Sequence, residues 1–115
     1  VAIAGDHMMG LDPDRSMNAY NPFLMLQVAV TRRNREGSVY GKRQRLSRLD
    51  ALRCLTTSPA WLSFEEASKG SLAKGKLADL VVLDRDYLTC PEDEIARIKV
   101  EKTMLDGHFV YVRKD

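Results

Sequence analysis

The chain has 115 residues, 44% hydrophobic and 30% charged, with a formal net charge of +2 at pH 7. That composition excludes a fully disordered chain. The longest apolar stretch, Pro22 to Val30, is broken by Gln27. It falls far short of the ~18 residues of a membrane span, and a complete (β/α)8 barrel needs roughly 200 residues or more.

Val1 to Ala4 is a short apolar run ending at Gly5-Asp6. It reads as the end of a buried strand that delivers an acidic side chain at its C-terminal edge. Met8 to Tyr20 is loop-like. Asn21-Pro22 predicts a helix start, since Asn caps and Pro suits the first helical position. The helix is expected to run to about Arg33, with apolar residues on nearly every face and burial on most sides. Ser47 opens a second helix, with Asp50 three residues on as a short-acid version of a capping box and Leu49, Leu52 and Leu55 as its apolar stripe. Ser58-Pro59 repeats the cap-plus-proline signal for a short helix buried through Trp61, Leu62 and Phe64. Lys69 to Lys76 is a glycine-rich turn region.

Leu80 to Leu83 predicts a strand buried on both faces. Cys90-Pro91 opens a turn followed by a short acidic helix. Ile98, Val100 and Met104 fall on one face of a strand, and Asp106-Gly107 is the strongest hairpin signal in the chain, with Phe109 to Val112 returning. The order is strand, helices, strands. It predicts an α+β fold with a helical part over residues 1–67 and a small β part over 68–115.

Charge is uneven. Residues 1–57 carry nine basic and five acidic groups, a net of +4, and residues 58–115 a net of −2. The excess lies in Arg32, Arg33, Arg35, Lys42, Arg43, Arg45 and Arg48. The stretch reads as a solvated loop flanked by helix ends, where arginines favour the C-terminal dipole. A phosphate or nucleic-acid surface is the alternative, disfavoured because Tyr40 is the one aromatic in the stretch. Cys54 and Cys90 match no zinc knuckle and read as reduced thiols of a cytoplasmic protein. No basic-then-apolar leader opens the sequence.

Gly70 to Lys76 satisfies seven positions of a phosphate-binding loop, but Leu77 stands where Ser or Thr must hold Mg²⁺. The context is also reversed, because a phosphate loop follows a strand and opens a helix. The same residues carry another likeness. Gly70-Ser71-Leu72, then Gly75-Lys76-Leu77-Ala78-Asp79-Leu80-Val81-Val82-Leu83-Asp84, resembles the C-terminal signature of the amidohydrolase superfamily. Ser47 to Ala60 resembles the family's helix pair, and Val100 to Tyr111 its closing hairpin. Gly5-Asp6-His7-Met8, with Asn21-Pro22 and Ala29-Val30-Thr31-Arg32, resembles the end of the eighth barrel strand and the segment after it. The nearest likeness is to the amidohydrolase family 3, YtcJ-like hydrolases, and it covers essentially the whole chain.

The resemblance implies the end of a (β/α)8 barrel, its last strand and helices, followed by a portion of a small β-sandwich with a C-terminal hairpin. It implies a hydrolase of non-peptide carbon–nitrogen bonds that uses zinc or another divalent metal on a small-molecule substrate. Asp6 alone carries over to a catalytic role: it contacts the metal or its water and carries the proton between water and leaving nitrogen. His7 points to the other side of a strand, and His108 is a surface residue. The family's His-x-His pair and its later ligands have no counterpart here. One carboxylate cannot hold a metal that needs three or four ligands, so no metal and no hydrolysis are expected of this chain alone. Its expected partner is the missing N-terminal barrel portion or, as a non-catalytic self-associating module, a second copy in a homodimer.

Overall fold

In the computed structural model, which describes residues 1–4, 21–34 and 36–114, helix α1 (Pro22–Thr31) starts where Asn21-Pro22 predicts. Asn21 Oδ1 accepts the Phe23 N–H at 2.9 Å, satisfying one of the free donors of the first turn. The helix ends two residues before the expected Arg33. Arg32 adopts a left-handed conformation, φ 55°, which stops the helical ladder. Its side chain helps to hold that conformation, donating to the Tyr40 carbonyl and to Gln44 Oε1, both at 3.2 Å.

Burial of α1 on most sides is corrected. Leu26 and Val30 are buried, but Leu24 and Val28, one turn apart on another face, are 38% and 40% exposed. Among the described elements, α1 packs chiefly on helix α2 (Arg48–Leu55) and on a 3₁₀ segment, Glu92–Arg97. Two neighbours cover one side of a helix and leave the other open. Gln27 interrupts the apolar run for a reason. Its Oε1 accepts the Ala96 N–H at 2.8 Å, and Asn21 Nδ2 donates to the Ala96 carbonyl at 3.0 Å. Both backbone groups of Ala96 are therefore tied to α1. The core beneath comprises Leu26, Val30, Ala51, Tyr87, Ile95 and Ile98. It draws on both sides of the compositional boundary near residue 67.

Ser47 caps α2 as expected, its Oγ accepting the Asp50 N–H at 3.1 Å. The short Asp50 carboxylate accepts a hydrogen bond from the Ser47 hydroxyl, at 2.6 Å, in a side-chain version of the capping box. The buried residues of α2 are Ala51 and Cys54, while Leu52 and Leu55 are half-buried and Leu49 is exposed. The stripe is thus turned away from Leu49, because small residues let α2 approach its neighbours closely. Helix α3 (Thr57–Leu62) begins ahead of Ser58, and Pro59 lies inside its first turn, where no N–H partner is required. The expected burial of Trp61, Leu62 and Phe64 does not occur. Trp61 is 63% and Phe64 90% exposed, and only Ala60 of α3 is buried. Ala60 is also what Gly70 lies against. A Cβ on Gly70, whose φ is +86°, would stand 2.6 Å from Ala60 Cβ and 3.1 Å from the Thr56 carbonyl oxygen.

Strands β1 (Leu80–Leu83), β2 (Val100–Leu105) and β3 (His108–Val112) form an antiparallel sheet in that order. The Asp106-Gly107 hairpin forms as predicted, with φ of 47° and 78°, the two positive values of a type I′ turn. The period-two pattern of β2 is interrupted by an irregularity between Thr103 and Met104. Burial of β1 on both faces is corrected: Val81 and Val82 are exposed and Leu80 and Leu83 half-buried. A strand buried on both faces needs a layer on each side, and the described residues supply contact chiefly at Leu83, which packs on the core. Residues 1–4 belong to no strand among the described residues; Ile3 makes one backbone bond, its N–H to the Cys54 carbonyl at 3.0 Å.

Two glycines differ in a measurable way. Gly107 has open space around its missing Cβ, whereas Gly70 does not. Gly107→Val is expected to destabilise by more than about 1 kcal/mol, through a β-branched residue at positive φ. Gly70→Ala is expected to cost more than Gly107→Ala, because steric overlap adds to the strain. Thermal denaturation of the variants checks both; equal midpoints for the two alanine variants would refute the close approach at Ala60.

Candidate functional site

Asp6 and His7, the two residues nearest the implied chemistry, lie outside the described residues. What the structure describes is how the rest of the chain uses its charged and polar groups. The basic stretch is the first case. The last four carbonyls of a helix lack partners within it, and the chain after α1 supplies donors to three of them. The Arg32 N–H meets the Val28 carbonyl at 2.8 Å and the Leu46 N–H the Ala29 carbonyl at 3.0 Å. Arg45 Nε meets the Val30 carbonyl at 2.6 Å. A cation at a helix C-terminus is also favoured by the dipole. The Arg45 guanidinium then pairs with Glu92 at 2.8 Å, linking the stretch to the 3₁₀ segment.

Arg48 is engaged more fully. Its guanidinium donates to the carbonyls of Tyr87 and Cys90 and stands 6.0 Å from the centre of the Tyr87 ring. Tyr87 Oη donates back to the Arg48 carbonyl at 3.0 Å. Burial pushes the Tyr87 hydroxyl up to about 12, against the nearby arginine charge, so it remains a donor across the working range. Three of the seven cations between residues 32 and 48 are therefore committed to internal contacts.

The phosphate-loop lookalike is likewise structural. Lys76 Nζ donates to the Glu66 carbonyl at 2.5 Å and to the Lys69 carbonyl at 3.4 Å. An ammonium spent on the carbonyls just before the loop is not presented to a phosphate.

The two aspartates of the Ala78–Asp84 run hold opposite ends of the sheet. Asp79 Oδ1 accepts the Asp106 N–H at 2.8 Å, beside the hairpin turn. Asp84 Oδ1 accepts the Lys99 N–H at 3.0 Å, where β2 begins. The Lys99 N–H, and then Arg85 beside it, hold the Asp84 carboxyl below its ordinary range. His108 is exposed on the hairpin. Cys54 is buried, and Cys90 Sγ lies 3.7 Å from the Arg48 guanidinium. Among the described residues no three His, Cys, Asp or Glu side chains come together as a metal site. These residues by themselves do not fit a bound metal, which needs at least three protein ligands. No helix among them is long and apolar enough to cross a membrane.

Sequence comparison then decides the family. The Amidohydrolase family model matches residues 2–111. The chain belongs to the amidohydrolase family. Over 113 residues it is 33% identical to an N-substituted formamide deformylase of Arthrobacter pascens, covering 98% of this chain and 19% of that protein. Over 101 residues it is 28% identical to the putative amidohydrolase YtcJ of Bacillus subtilis strain 168, covering 85% of this chain and 19% of that protein. The chain thus spans about a fifth of the length of these curated relatives. No solved structure matches it.

Within this amidohydrolase segment, the Arg48–Tyr87 contact is the feature that motif reading missed. One signal was present: Arg48 occupies the first turn of α2, where the dipole disfavours a cation, so a compensating partner is implied. Arg48→Ala is expected to destabilise the fold by about 1–3 kcal/mol, leaving the Tyr87 and Cys90 carbonyls without their donor. Denaturant melts check the loss, and a change below about 0.5 kcal/mol would contradict it.

Acid titration of stability tests the Asp84 contact. A carboxyl held low in the fold binds protons more readily when unfolded. Its contribution is complete above its ordinary value of 3.8 and is lost as pH falls through the lower folded value. Asp84→Asn is expected to flatten the loss of stability below about pH 4; an unchanged acid profile would show that the carboxylate charge is not used.

Proposed function

We propose that this chain is the carboxy-terminal part of a cytoplasmic, metal-dependent hydrolase of non-peptide carbon–nitrogen bonds, inactive when isolated. The observation that carries this reading is the match over residues 2–111 to the amidohydrolase family, paired with coverage of only a fifth of each relative. The relative named as a deformylase of N-substituted formamides supports the bond class. Asp6 serves as the proton carrier, taking a proton from attacking water and returning it to the leaving nitrogen. A divalent metal, zinc or another, would supply activation of the water when bound; its ligands would come from outside the described residues, with the remaining barrel portion as the functional partner.

The purified chain is expected to bind no stoichiometric zinc and to leave N-substituted formamides intact. About one metal per chain by elemental analysis, lost on Asp6→Ala, would overturn the assignment of the ligands to the missing portion. Replacing the matching fifth of the Arthrobacter pascens protein with this chain isolates the catalytic role. In a folded, active chimera, Asp6→Asn is expected to lower turnover by about 10²-fold or more; full activity of that variant would exclude Asp6 as proton carrier.

Isolated from that remainder, the chain is proposed to self-associate through the Leu24–Val28 face of α1. These side chains lie at i and i+4, form one stripe, and are each more than a third exposed. Sedimentation is expected to show a dimer, lost when both are changed to Glu, since charges are costly in a buried contact. A soluble monomer of the unmutated chain at high micromolar concentration would refute it.

A further inference from the structure

We draw no further inference here: the strongest candidate, the β1–β2–β3 sheet with Val81, Val82, Phe109, Tyr111 and Val112 exposed across its surface, is an unpartnered apolar surface, and nothing in the structure shows what covers it.

Discussion

The fold depends on how α1 is fastened to the 3₁₀ segment that ends at Arg97. Leu26 and Val30 supply apolar area from one side, and Ile95 and Ile98 meet it from the other. Burial of each such side chain contributes about 1.5–3 kcal/mol, but apolar contact is not directional and leaves the helix free to slide or rotate. The side chains of Asn21 and Gln27 remove that freedom, because each holds a different backbone group of Ala96. A one-residue slip would leave an amide or carbonyl unpaired at a part-buried position, which costs more than the bond itself contributes. Arg45 and Arg48 extend the same fastening on the far side, to Glu92 and to the chain at Tyr87–Cys90. Residues far apart in the chain are thus held by polar contacts of fixed geometry around a small apolar centre.

Local signals in the sequence were legible wherever the cause was local. Asn21-Pro22, Ser47 with Asp50, and Asp106-Gly107 each specify a backbone conformation through chemistry within three residues, and each formed as read. The end of α1 was not legible, because an arginine in the left-handed region is stabilised by Tyr40 and Gln44, eight and twelve residues on. Burial was less legible still. Trp61, Phe64, Val81 and Val82 have the character of core residues, yet they are exposed. Apolar character says that a residue is suited to a covered position, and it does not say which chain provides the cover.

The basic stretch shows the same limit from the polar side. A run of arginines reads alike whether its partners are phosphates or carbonyls. Geometry separates the two, since a guanidinium donates in a fixed planar fork. Arg48 turns that fork on the Tyr87 and Cys90 carbonyls, while Arg45 divides its donors between Val30 and Glu92. The helix-dipole reading of the stretch holds at Arg45, whereas Arg48 runs against the dipole and is explained by its partners.

The residues that make the family recognisable in this chain are architectural wherever the structure describes them. Asp79 and Asp84 flank β1, and each accepts a backbone N–H from the chain beside β2 at one end of the sheet. Gly70 lets the turn lie against Ala60, and Lys76 ties that turn to the carbonyls before it. Each of these contacts is spent within the chain, and each helps to bring it from helix into sheet. A sequence match carried by such residues establishes descent and folding pattern, while chemistry must be argued at a different position. For this chain the resemblance points to Asp6, three residues along the sequence from the Ile3 amide that bonds to the end of α2. The Cys54 carbonyl that receives it belongs to the helix whose first turn is held by Arg48. The contacts that organise the core therefore also anchor the segment leading to the one carboxylate to which the resemblance assigns a catalytic role.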